Sequence, residues 1–242
     1  MRIDVLTLFP EMFPAVLEAS IVGRAAQRGL ARCHLHDIRR WAENIHRKVD
    51  DRPFGGGPGM VMMCQPLHDG VLAVEKMEAT PATRVLLTPQ GRRLDQSIVE
   101  LLAARPRLLL IAGHYEGVDE RVIEELQPLE LSVGDYVLSG GEIPAMLVID
   151  AVVRLLPGAL GHEQSAHEDS FSRRAKGDPS FPHEPPGERL LDCPHYTRPR
   201  VWMDREVPEV LLGGDHAAIA RWRHDQSLAR TRARRPDLMP TA

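Results

Sequence analysis

The first 160 residues of this chain alternate short apolar runs with stretches of helical spacing, and that alternation leaves few folds open. Residues 2–9, 30–38, 83–88, 107–113 and 129–133 have the length and pattern of strands. Between them, 11–29, 65–78, 94–104 and 118–126 read as helices, and 142–156 follows as one more. Strands separated by helices pair in parallel and are covered on both faces. The expected class is therefore α/β, with a mostly parallel sheet. The texture changes after residue 157, where proline and histidine are frequent and no apolar period holds. Residues 173–189 carry the composition of a mobile insertion. Beyond them, "VPEVLLGGDHAAIARWRHDQSLARTRARRPDLM" reads as two helices around Gly213–Gly214. The expected organisation is an α/β domain over 1–160, a flexible linker with an insertion over 161–188, and a small, mainly helical domain over 189–242.

A chain of 242 residues buries enough surface to need no cross-links. Cys33, Cys64 and Cys193 are odd in number and form no C-x-x-C pair, which points to a reducing cytoplasm and no structural zinc site. No apolar run is long enough to span a membrane, and the N-terminus opens on a strand pattern rather than a signal peptide. The net charge of −4 argues against a general nucleic-acid binder, but its distribution is uneven. Six arginines lie between His216 and Arg235 against one acid, Asp225. That stripe is either a solvated helix face or a phosphate-binding surface.

In a parallel α/β sheet, ligands bind beyond the carboxyl ends of the strands. Three glycine-rich segments fall there: "TPQGRRLD" (88–95), "AGHYEGVDER" (112–121) and "SVGDYVLSGGE" (132–142). None has the spacing of a common phosphate loop and none carries a lysine, so a nucleoside-like ligand suits them better than a polyphosphate. A fourth loop, 46–60, is either a flexible hairpin or a substrate-contacting lid offering His46, Arg47, Asp50 and Arg52. Arg154 lies in an apolar helical run, where burial demands either a salt bridge or an anion. Asp169, just before the second domain, is either a helix N-cap or a functional carboxylate. His34 and His36 share a strand face, but no third ligand sits at useful spacing for a metal.

The strings "DDRPFGGGPGM", "GHYEGVDERV", "SVGDYVLSGGE", "EDSF", "LLDCPHYTRP" and "RWRHDQSLARTRARRPDL", in this order along nearly the whole chain, resemble the bacterial tRNA (guanine-N1)-methyltransferases of the TrmD family. That resemblance implies the SPOUT fold, in which the C-terminal part of the α/β domain is threaded into a deep trefoil knot. It implies S-adenosylmethionine as methyl donor and methylation of guanosine N1 at tRNA position 37, just 3′ of the anticodon. The donor site would comprise Leu87, Pro89, Gly113, Gly117, Ser132, Val133, Gly134, Asp135, Tyr136, Val137, Leu138, Gly140, Gly141 and Pro144. Asp169 matches the general base, Arg154 the cation facing guanine O6, and Glu116 a group beside the donor's methionine part. The tRNA would be gripped by Arg221, Arg223 and Arg230, with the loop at 46–52. The resemblance further implies an obligate homodimer with its active site at the subunit interface. It also implies a magnesium dependence, for which the sequence offers no dedicated carboxylate cage. This chain has His114 where some members carry arginine, and Arg173–Gly187 is an insertion relative to members that run directly from "DSF" to "LLDCPHYTRP". Two other classes stay open: a SPOUT enzyme for another RNA site, and an RNA-binding module without catalysis, against which the intact 132–142 loop argues.

Overall fold

The computed structural model describes residues 1–161, 169–172 and 189–239, and the insertion at 173–187 lies outside them. The chain forms two compact units, Met1–Gly161 and His162–Ala242.

The first unit is built on five strands: β1 (Arg2–Thr7), β2 (Arg32–Asp37), β5 (Thr83–Arg93), β6 (Arg107–Ala112) and β7 (Leu129–Ser132). Their order is β2-β1-β6-β5-β7 and every pairing is parallel. All six residues of the central strand β6 are buried, as expected where helices cover both faces. The period of two sorts its side chains between two cores. Leu108 and Leu110 join Ile3, Val5, Val85 and Leu87 on one face, under helices α2 (Ser20–Gln27), α4 (Gln96–Ala103) and α6 (Glu142–Val153). Leu109 and Ile111 join Leu6 and Leu86 on the other, under α3 (Cys64–Lys76) and α5 (Glu120–Leu126). Asp95 and Asp119 cap α4 and α5, their side chains accepting from the backbone N–H of Ile98 and Arg121 at 2.9 and 3.1 Å.

The helix expected over 11–29 is broken into a 3-10 turn at Pro10–Met12, a single turn α1 (Pro14–Leu17) and α2. The strand expected over 83–88 runs on to Arg93. It does so through an irregularity that sets both Leu87 and Arg92 opposite Leu131. Gly91 permits that approach, because a Cβ there would lie 2.4 Å from the Leu131 nitrogen. Residues 50–62 form a small antiparallel hairpin, β3 (Asp50–Asp51) and β4 (Val61–Met62). At the amino ends of the strands, Arg107 is 1% exposed. Its Nε donates to Asp4 Oδ2 at 3.0 Å, and its other nitrogens donate to the Val74, Glu75, Glu78 and Thr80 carbonyls that close α3.

Among the described residues, the second unit holds one long helix, α7 (His216–Arg234), capped by Asp215. Only a 3-10 turn, Glu209–Leu211, stands where a helix was expected before Gly213, since too few residues separate Pro208 from the glycines. The buried face of α7 is partly polar: Thr231 Oγ1 donates to the Ser227 carbonyl and accepts from Leu191 N at 2.9 Å. A short hairpin, β8 (Val201–Trp202) and β9 (Arg205–Glu206), turns through Met203 and Asp204, both with positive φ.

Candidate donor pocket and the surfaces around it

The carboxyl ends of β5, β6 and β7 enclose a cavity of about 230 Å³, far beyond the roughly 10–15 Å³ that one water needs. Leu86, Leu87 and Leu131 supply an apolar floor, and residues 113–118 and 136–141 form the walls. Glycine is required where these walls touch. The Gly141 N–H donates to the Gly113 carbonyl at 2.6 Å. A Cβ on Gly141 would fall 2.7 Å from the Ala112 Cα. Ser132 shapes the third loop, accepting from the Gly134 N–H and donating to its carbonyl.

The three glycine-rich segments of the sequence therefore meet around one cavity. Of the donor-site candidates, Leu87, Pro89, Gly113, Gly117, Ser132, Val133, Tyr136, Val137, Leu138, Gly140, Gly141 and Pro144 line it, together with Glu116. Gly134 and Asp135 lie outside the lining: Gly134 is covered by the Tyr136 ring, and the exposed Asp135 faces Arg93 at 3.8 Å. Thr88, Gln90, Tyr115, Glu120, Ile123 and Ser139 also line the cavity, beyond the candidates that the sequence supplies. Glu120 and Ile123 reach it from the first turn of α5, a placement that no local pattern signals.

The lining is distinctive in charge. It holds the carboxylates of Glu116 and Glu120 and, among the described residues, no lysine or arginine. Such a surface favours a cationic ligand and disfavours phosphate groups.

The glycine-rich hairpin is fastened to this cavity. The Glu116 N–H donates to the Met60 carbonyl at 3.0 Å, and Met62 N–H to that of Gly117 at 2.9 Å. Gly59 has φ +78°, which favours glycine, and a Cβ there would displace the Glu116 carboxylate, whose Oε1 it would meet at 2.1 Å. Burial, helped by the nearby Asp50 and opposed by Arg39, raises the Tyr115 phenol above its ordinary value. His46, Arg47 and Arg52 are exposed, and Asp50 is half-buried.

Arg154 is not inside an apolar helix. It is the C-cap of α6 and is half-buried, because the helix ends sooner than its apolar run suggests. Asp169 belongs to the second unit, where its carbonyl accepts from Ser172 N–H in a tight turn. On α7, Arg221 and Arg223 are exposed and Arg230 is half-buried, whereas Arg235 pairs with Asp237 at 2.7 Å and lies over the Phe171 ring.

His36 Nε2 is 2.9 Å from Asp4 Oδ1, within the buried cluster that Asp4 forms with Arg2 and Arg107. Among the described residues, Asp192, Cys193 and His195 bring ligand atoms within 4.8 Å of one another. His195 Nε2 and Asp192 Oδ2 are already paired at 2.7 Å, and burial with Asp192 pushes the Cys193 thiol up, away from the thiolate a metal needs. This set does not fit magnesium, which takes oxygen ligands.

A family model described as tRNA (Guanine-1)-methyltransferase TrmD matches residues 1–241. The chain belongs to the TrmD family. A tRNA (guanine-N(1)-)-methyltransferase of Rhodopirellula baltica is 54% identical over 241 residues, covering 99% of this chain and 94% of that protein. Proteins of the same description from Pseudomonas putida and Pseudomonas savastanoi are 53% and 52% identical, each covering 99% of this chain and 90% of the relative. The TrmD-family motifs quoted from the sequence include two of the three segments that enclose the cavity, "GHYEGVDERV" and "SVGDYVLSGGE". None of the described helices is long and apolar enough to cross a membrane.

Proposed function

We propose that this chain transfers a methyl group from S-adenosylmethionine to N1 of the guanosine at position 37 of tRNA. The observation that carries the donor assignment is the cavity lining: two carboxylates, no lysine or arginine among the described residues, an apolar floor and walls of exposed backbone. S-adenosylmethionine joins a neutral adenosine to a positively charged sulfur, and it supplies an electrophilic methyl group. Leu86, Leu87 and Leu131 suit the flat apolar base, and the backbone of 132–141 can read its polar edge. Glu116 and Glu120 suit the positive charge.

Guanine N1 carries a proton at neutral pH and must lose it to become a nucleophile. Asp169 accepts that proton in this account, and Arg154 offsets the negative charge that develops at guanine O6. The exposed Arg221 and Arg223, with His46, Arg47 and Arg52 of the 46–60 loop, hold tRNA phosphates.

Dimerisation is supported by α6. Apart from Glu142 and Asp150 it is apolar on all sides, the character of a helix covered all round. Yet Ile143 and Leu147, one turn apart, are 54% and 43% exposed, so a second copy of the chain is the proposed cover. The close return of 132–141 against β5 and β6 is consistent with the SPOUT knot. The account includes no magnesium step.

Single-turnover transfer of label from S-adenosylmethionine to tRNA transcripts tests this function. Wild type should label a transcript with guanosine 3′ of the anticodon and leave one with adenosine there unlabelled. Asp169→Ala should slow transfer by about 10²- to 10⁴-fold while donor binding persists. Equal labelling of both transcripts would redirect the assignment to another RNA site.

A further inference from the structure

Behind the Gly140–Gly141 wall lies a buried polar chain that the reaction does not use. Glu142 opens α6, where free backbone N–H groups favour a carboxylate. Its side chain is nevertheless 2% exposed, and a buried carboxylate must be partnered. Oε1 accepts from the Thr7 hydroxyl at 2.8 Å. Thr7 is itself fully buried at the end of β1, and its Oγ1 accepts from Phe9 N–H at 2.9 Å. Oε2 faces His114 Nδ1 at 3.4 Å. That nitrogen is buried and has no hydrogen-bond partner among the described residues. An unsatisfied buried nitrogen opposite a buried carboxylate calls for an explanation.

Gly140 lies beside this contact, with the space for its missing side chain taken by the two groups. A Cβ there would stand 2.2 Å from His114 Nδ1 and 2.4 Å from Glu142 Oε2. His114 and Gly140 are also bridged as an antiparallel pair, and the imidazole is held between Phe9 and Tyr115, each 5.1 Å away between ring centres. His114 and Gly140 line the cavity, whereas Thr7 and Glu142 do not.

We propose that Thr7 and Glu142 are positioning residues for the donor pocket. Glu142, anchored by Thr7, draws His114 by a charge-assisted contact beside Gly140 and so fixes the wall against which the donor binds. This role rests on the cavity being the S-adenosylmethionine site.

The test is titration calorimetry of S-adenosylmethionine on the full chain, with a thermal melt and steady-state kinetics for each variant. Glu142→Gln and Thr7→Val should each weaken donor binding roughly tenfold, within the range measured for contacting pairs. The donor KM should rise while kcat at saturating donor is kept. Thr7→Ser, which restores the hydroxyl, should return the affinity. Val74→Ala, a core change in α3, should lower the melting temperature and leave the affinity alone. Wild-type affinity in Glu142→Gln and Thr7→Val, or a loss in Val74→Ala that parallels its melting temperature, would overturn the positioning role. A wild-type chain that binds no S-adenosylmethionine would instead remove the pocket assignment, and this role with it.

Discussion

At the scale of single residues, the proposed donor pocket depends on glycines at close backbone contacts. The Cβ of an alanine at Gly141 would sit 2.7 Å from the Ala112 Cα and 2.8 Å from the Gly113 nitrogen, both backbone atoms of the central strand and its exit. The loop would have to move outward, and displacements near 1 Å cost about a hundredfold in rate. Gly141→Ala should therefore lose about that much single-turnover methyl transfer, with an unchanged circular dichroism spectrum. The three strings that build this pocket are legible in the sequence because each carries glycine and follows an apolar run. The contributions of Glu120 and Ile123 are not legible, since they reach the cavity from a helix whose orientation only the tertiary fold sets. Arg154 reads as a mid-helix residue because an apolar run continues past the point where the helix ends.

At the scale of elements, the α/β alternation is readable from period and length, and the strands of the five-stranded sheet fall inside the expected segments except at β5. Two-residue strands such as β3 and β8 carry no period, so their hairpins are invisible as pairs. The buried Arg107 that ties β6 to the end of α3 is equally hidden, because it looks like any charged residue before a strand. Its partner Asp4 is fully buried. Burial alone would push that carboxyl up, but hydrogen bonds from His36, Arg2 and Arg107 outweigh it and hold the group well below the usual carboxylate range. A carboxyl depressed in the folded state adds stability that is fully present above its unfolded value, roughly pH 4, and drains away as pH falls toward its folded value. Asp4→Asn should cost about 3–5 kcal/mol at neutral pH, because it leaves Arg107 buried without its counter-charge. In urea melts at pH 7 and pH 3, the gap between wild type and Asp4→Asn should narrow at the lower pH.

At the scale of the whole molecule, the account calls for a dimer that grips tRNA. The exposed apolar stripe of α6 has no cover among the described residues of its own unit. Ile143→Asp with Leu147→Asp should convert a dimer to a monomer in light scattering, and methyl transfer should fall with it. Arg221→Ala with Arg223→Ala should weaken all tRNAs about equally. The slope of log affinity against log salt should fall by about one for each phosphate that is no longer neutralised. Fluorescence titration at several salt concentrations reads both effects. The overall charge of −4 conceals this surface, and only the local run of arginines reveals it.

The central claim is tested most directly by identifying the methylated nucleoside. A tRNA transcript with guanosine at position 37 is incubated with the wild-type chain and S-adenosylmethionine, then digested and mapped by mass spectrometry. The account predicts 1-methylguanosine at that position and at no other. A methyl group on a ribose hydroxyl, on another atom of the base or at another nucleotide would contradict it.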